Sequence, residues 1–269
     1  MVDRCKSKVT AKDYYRHIRH FLTNVGKPIE QISIEDIREY MLRLKETRSI
    51  AHYTNLLSGL KSFFRDFLKR PEVIDGFKFP AKEIAIKTIP SRQDLARFYL
   101  TLPDIRIKAI FLMLASTGLR LGEILSLKLE NVDFTRRMVV PKCHSGETKR
   151  SWVSFYNRET QEILEQFLKV RYKRSAKLFP IGEPDLKNSW DVARQATGLD
   201  LQRKDLRDWF ADEMGRLGVQ DRYIDAFQGR TPKSVLARHY SDYAPDKLQV
   251  IYEKAQLKIL ASEILVPAL

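Results

Sequence analysis

Between residues 70 and 90 the chain reads RPEVIDGFKFPAKEIAIKTIP, and neither a helical nor a strand period survives across it. Pro71, Gly76, Pro80 and Pro90 punctuate the stretch. Proline removes a backbone donor and clashes with the preceding helical turn, so no regular element runs through such a segment. The chain therefore has to fold as two bodies, and its 269 residues are enough for two. The spacing predicts a helical domain over 1–82, a linker over 83–90 and a larger domain over 91–269.

The first body reads as all helix. Thr10, with Asp13 three positions on, has the form of an N-cap with a capping box. Tyr14, Ile18 and Phe21 then share one helical face. Ser33 is the expected cap of a second helix with Ile37, Tyr40, Met41 and Leu44 on its apolar stripe. A third helix is expected from about Ile50 to Lys69, turning Leu56, Leu60, Phe63, Phe64 and Phe67 inward. Arg16, Arg19, His20, Lys61, Arg65 and Lys69 lie mainly on the opposite faces, where phosphate tracking and simple solvation are both open readings.

The second body opens on a helix capped by Ser91. The run from Ile105 to Leu114 is apolar nearly all round, which predicts a buried helix ended at Thr117-Gly118. A short helix follows from Leu121, carrying Ile124, Leu125 and Leu127. RRMVVPK and RSWVSFY read as two strands joined across the turn-rich KCHSGETK. Helices are expected near 157–173, 184–197, 203–217, 219–227, 231–240 and 245–261. The fold class is mainly α with a small antiparallel β-sheet.

Charge narrows the function. Lys and Arg outnumber Asp and Glu by 48 to 34, giving a formal net charge of +14, a field that suits a polyanionic partner. Two distant cysteines, Cys5 and Cys143, build neither a disulfide framework nor a metal-ligand spacing, which fits a reducing cytoplasm. His17, His20, His52, His144 and His239 do not pair with carboxylates at ligand spacing, so no metal and no cofactor is expected. No apolar run reaches membrane-spanning length, and MVDRCKSKVT lacks the apolar core of a secretion signal.

Five cations and one tyrosine stand out in the second body: Arg120 in STGLRLGEILSL, Lys149, Lys204 and Arg207 in KDLRDWF, and Arg230 in GRTPKSVLARHY, which ends on Tyr240. Attack on a phosphodiester places negative charge on the nonbridging oxygens, and guanidinium groups match that geometry in a bidentate manner. Fixed cations stabilise the developing charge, and the leaving oxygen needs a proton donor. A phenol titrates near 10 when free, and neighbouring positive charge lowers that value. A tyrosine among Arg and Lys is thus a competent nucleophile without a metal. Tyr243 in HYSDY is the rival nucleophile, and spacing favours Tyr240.

TGLRLGEILSLKLENVD, KDLR and QGRTPKSVLARHY resemble the boxes of the tyrosine recombinases, the phage-integrase family, over roughly residues 90–260. The resemblance implies a two-domain architecture, with a helical core-binding domain that clamps double-stranded DNA ahead of a catalytic domain. It makes Arg120 the first catalytic arginine, with Glu123 a helical turn on helping to hold the pocket. Lys149, 29 positions after Arg120, falls where the family carries a mobile lysine on a β-hairpin. Arg207 is then the second arginine and Tyr240 the nucleophile. Lys204 stands where most members have histidine, and Arg230 where most have histidine or tryptophan. Arg230 precedes Tyr240 by 10 positions, one more than the commonest interval. Every replacement is again a cation, and the whole pattern resembles integrases of archaeal spindle-shaped viruses. Lys204 is expected to act as an electrostatic stabiliser, with a general-base role as the other reading.

The implied reaction is cleavage and rejoining of DNA through a 3′-phosphotyrosine, with neither metal nor ATP. The rival readings are a type IB topoisomerase-like or telomere-resolvase enzyme and a non-enzymatic DNA-binding protein of the same fold. The apolar C-terminal run LKILASEILVPAL, with Ile259, Leu260, Ile264 and Leu265, either closes the protein's own core or docks on a neighbouring protomer. The family favours docking and a tetramer on DNA.

Overall fold

The computed structural model describes residues 8–81, 87–141, 153–230 and 242–260. These divide into two compact units, 8–81 and 87–260, each with its own apolar core.

The first unit is built from α1 (Lys8–Val25), α2 (Ile34–Thr47) and α3 (Ile50–Lys61), the last continued by a π turn over Ser62–Phe67. Ser33 caps α2, as expected, and the structure shows that it does so through a reciprocal box with Asp36. Phe21, Ile37, Leu57, Leu60 and Phe64 are fully buried, and Phe21 meets Tyr40 and Phe64 edge-on at 5.0 and 5.9 Å. Two expectations fail. Thr10 is no cap, because α1 already runs at Lys8. Phe67 is 58% exposed, because the chain leaves α-helical geometry at Ser62 and the widened π turn takes its last residue off the apolar stripe.

The second unit wraps around α5 (Ile105–Thr117), which follows α4 (Arg92–Leu100). Residues 109–113 of α5 are completely buried, as an all-round apolar run requires. Next come α6 (Leu121–Ser126) and a three-stranded antiparallel sheet in the order β1 (Val132–Asp133), β2 (Met138–Val139), β3 (Ser154–Phe155). β2 and β3 pair Met138 with Phe155 and Val139 with Ser154, the predicted hairpin. β1 was not legible, because two residues carry no period. α7 (Arg158–Val170), α8 (Glu183–Thr197), α9 (Asp205–Arg216), α10 (Asp221–Phe227) and α11 (Pro245–Ala255) complete the unit.

The C-terminal run corrects the expectation of a docking tail that starts at Ile259. α11 stops at Ala255, with Gln256 in the left-handed region at φ 48°, so the expected helix to residue 261 is too long. Ile259 and Leu260 then pack into their own unit at 0% and 4% exposure. The Glu159 carboxylate accepts the Ile259 and Leu260 amides at 2.7 and 3.2 Å, and Asn157 donates to the Leu257 carbonyl at 3.1 Å. Ile264 and Leu265 lie outside the described residues.

Candidate active site

The site grows from the C-terminus of α5, where helical carbonyls lose their intrahelical donors. Tyr252 of α11 donates its hydroxyl to Ser116 O at 2.8 Å, Ser154 of β3 donates to Thr117 O at 2.7 Å, and Arg207 of α9 donates Nη1 to Gly118 O at 2.6 Å. Three elements distant in sequence thus hang from three successive carbonyls. Gly118 has φ 63°, and a Cβ there would lie 2.3 Å from Phe210, so conformation and space both demand glycine. Beneath the site, Phe227 meets Phe155 and Tyr252 edge-on at 6.1 and 5.7 Å.

The turn at Gly118 delivers Arg120 to the start of α6. There Glu123 accepts the Arg120 backbone N–H at 2.7 Å and its guanidinium at 2.8 Å, which fixes the side chain's direction. Arg207 is held at both ends of its fork, by Gly118 O and by Gln228 O at 2.7 Å. Burial, then the nearby charges of Arg120 and Arg230, push the Arg207 guanidinium down to about 10. Arg230 follows Gly229, which adopts φ 60°, and pairs loosely with Asp225 at 3.8 Å. A concentration of like charge of this kind binds an anion and repels itself until one arrives.

Arg120, Arg207 and Arg230 are therefore electrostatic neighbours. Lys204 is exposed at the N-cap of α9, three positions ahead of Arg207. It contributes, after Gln202 and Arg194, to holding the Asp200 carboxyl below its usual range. Lys149 and Tyr240 lie outside the described residues. Tyr243 packs against the core and meets Tyr223 edge-on at 6.3 Å. Beside Lys204, a cleft of about 390 Å³ is lined by Lys187, Arg194, Gln202 and Arg203. Sequence reasoning passed over Gln228, Ser154 and Tyr252. Gln228 stood inside the quoted box as the one polar side chain before Gly229. Nothing in the sequence marked the other two, because their acceptors are main-chain atoms.

Comparison with known proteins bears on the family and the fold. Residues 87–251 match the family model described as archaeal phage integrase, and residues 2–72 match the phage integrase N-terminal SAM-like domain. Tyrosine recombinase XerA of Pyrococcus horikoshii is 25% identical over 94% of this chain and 89% of its own. The fold is similar to that of a lambda integrase (75-356) dimer bound to a COC′ core site, with TM-score 0.69 and 14% identity over 87% of this chain and 91% of that one. It is also similar to that of the Tn1549 transposon integrase in complex with circular intermediate DNA, with TM-score 0.63 and 16% identity over 90% of this chain and 98% of that one.

Proposed function

We propose that this chain, which belongs to the phage integrase family of tyrosine recombinases, cuts and rejoins duplex DNA at a specific site with Tyr240 as nucleophile. The Tyr240 phenolate attacks the scissile phosphorus, the bond to the 5′ oxygen breaks, and the 3′ phosphate stays on the tyrosine. Lys149 supplies the proton that the departing 5′ oxygen takes up. The same hydroxyl, or one from a partner strand, reverses the step, so the phosphotyrosine conserves the bond energy and no nucleotide is consumed.

The convergence of Arg120, Arg207 and Arg230 carries the reading. Three fixed guanidiniums supply the positive charge that a pentavalent phosphate requires. Tyr243, already packed on Tyr223, is the weaker nucleophile candidate. Lys204 serves as an electrostatic stabiliser near the strand. The helical unit over residues 8–81 adds further contacts to the duplex, and residues beyond Leu260 join protomers of the assembled complex on DNA. Among the described residues no helix is long and apolar enough to cross a membrane, which suits a DNA-associated protein.

A duplex nicked close to the scissile phosphate, offered with candidate attachment sites, tests the proposal. The native protein forms a covalent adduct that survives denaturation, and Tyr240→Phe forms none. An adduct that persists in Tyr240→Phe and disappears in Tyr243→Phe would move the nucleophile.

A further inference from the structure

We infer that Gln228 is a positioning residue for the cleavage step: it fixes Arg207 relative to Arg230 by gripping both the main chain and the side chain of Arg207. The inference rests on the arginine pocket just described and adds to it a residue that touches no substrate.

Gln228 is fully buried at the end of α10. Its Nε2 donates to the Arg207 carbonyl at 2.7 Å, while its own carbonyl accepts Arg207 Nη2 at 2.7 Å. One residue thus holds the helical main chain of Arg207 and one end of its guanidinium fork. With Gly118 O on the other end of the fork, rotation of the guanidinium is blocked. Gln228 is also tied to the third arginine. Gly229 turns the chain at φ 60°, and the Arg230 amide donates to Asp225 O at 2.8 Å. The anchor of Arg207 is therefore continuous with the hydrogen-bonded turn that carries Arg230.

Packing alone gives no reason for an amide here. Among the described residues Gln228 Oε1 is buried without a hydrogen-bond partner. An orphaned buried acceptor destabilises the fold, and leucine or methionine in the same volume would avoid that. The amide earns its place through what Nε2 holds. Two like-charged guanidiniums drift apart unless anchored, and a misplacement of about 1 Å at a reacting centre costs roughly 100-fold in rate.

Two near-isosteric variants separate positioning from packing. Gln228→Met removes the donor and keeps the main-chain carbonyl. Gln228→Glu retains a donor only while its carboxyl is protonated; once ionised it repels the Arg207 carbonyl and draws the guanidinium away from the phosphate. Single-turnover adduct formation on the nicked duplex is measured from pH 5 to 9, together with DNA affinity and the melting temperature. The expected result is a loss in the cleavage rate constant of about tenfold or more for Gln228→Met, with DNA affinity unchanged and the pH profile keeping the native shape. Gln228→Glu is expected to lose further activity as pH rises. Native-like cleavage rates in Gln228→Met, or two variants that differ from native only in melting temperature, would overturn the inference while leaving the function intact. Absence of an adduct in the native protein, by contrast, would remove the function and this inference together.

Discussion

Arg207 carries a cost imposed first by burial and then by the charges of Arg120 and Arg230, which together hold its guanidinium down to about 10, below the ordinary arginine range. The protonated guanidinium therefore opposes folding at every pH below about 10, and that opposition fades only as pH climbs higher. Taking away one repelling neighbour relieves part of it. Arg230→Ala, which gives up the loose pair with Asp225, should leave the melting temperature unchanged or slightly higher while slowing adduct formation by about 100-fold or more. The native rate should rise through the alkaline range as the phenol ionises and show no inflection near 6 to 7, since Lys204 rather than a histidine precedes Arg207 by three positions. A pH profile of phosphotyrosine formation checks both features. Gly118→Ala should lower stability by about 2–4 kcal/mol in chemical unfolding and remove cleavage, because it strains a left-handed turn and drives a methyl into Phe210.

Elements were legible where their signal is local. The Ser33 and Ser91 caps and the apolar run of α5 each declare themselves within a few residues, and each stands as predicted; the structure adds Asp36 and Asp94 as the reciprocal partners of the two serines. The boxed arginines were legible for the same reason. What escaped depends on distant partners or altered geometry. Phe67 ends a π turn that no residue type announces. Ile259 and Leu260 find their place because Glu159, a hundred residues earlier, captures their amides. That anchor moves the expected outcome of truncation. Stopping after Lys258 should destabilise the second unit, whereas stopping after Leu260 should leave it folded and impair only assembly on DNA, as read by melting temperature and sedimentation. α1 and α3 offer a separate test. His17 and His52 meet edge-on at 5.1 Å, and burial, followed by neighbouring cationic groups, lowers both from the ordinary 6.5. Groups depressed on folding stabilise above 6.5 and lose that contribution as pH falls through their folded values. Hydrogen exchange in α1 and α3 should therefore quicken between pH 7 and 5 at matched intrinsic rates, and His52→Phe should reduce the effect.

At the scale of the whole molecule, charge and division govern behaviour. A net charge of +14 makes most of the affinity for DNA a matter of counterion release, so binding should weaken by about 1,000-fold or more between 50 and 200 mM salt. Titrations at several salt concentrations give the slope directly, and a flat response would remove the polyanion as partner. Two separate cores also predict two unfolding events, one for residues 8–81 and one for 87–260. The hub at the end of α5 has a different consequence, concerning time. Ser116, Thr117 and Gly118 offer their carbonyls early in the chain, yet the takers are Ser154, Arg207 and finally Tyr252. A polypeptide halted on the ribosome before that last aromatic has emerged owns every boxed arginine but no completed ledge to seat them. The ledge that seats Arg207 is thus complete only when the segment carrying Tyr252 has folded back onto α5.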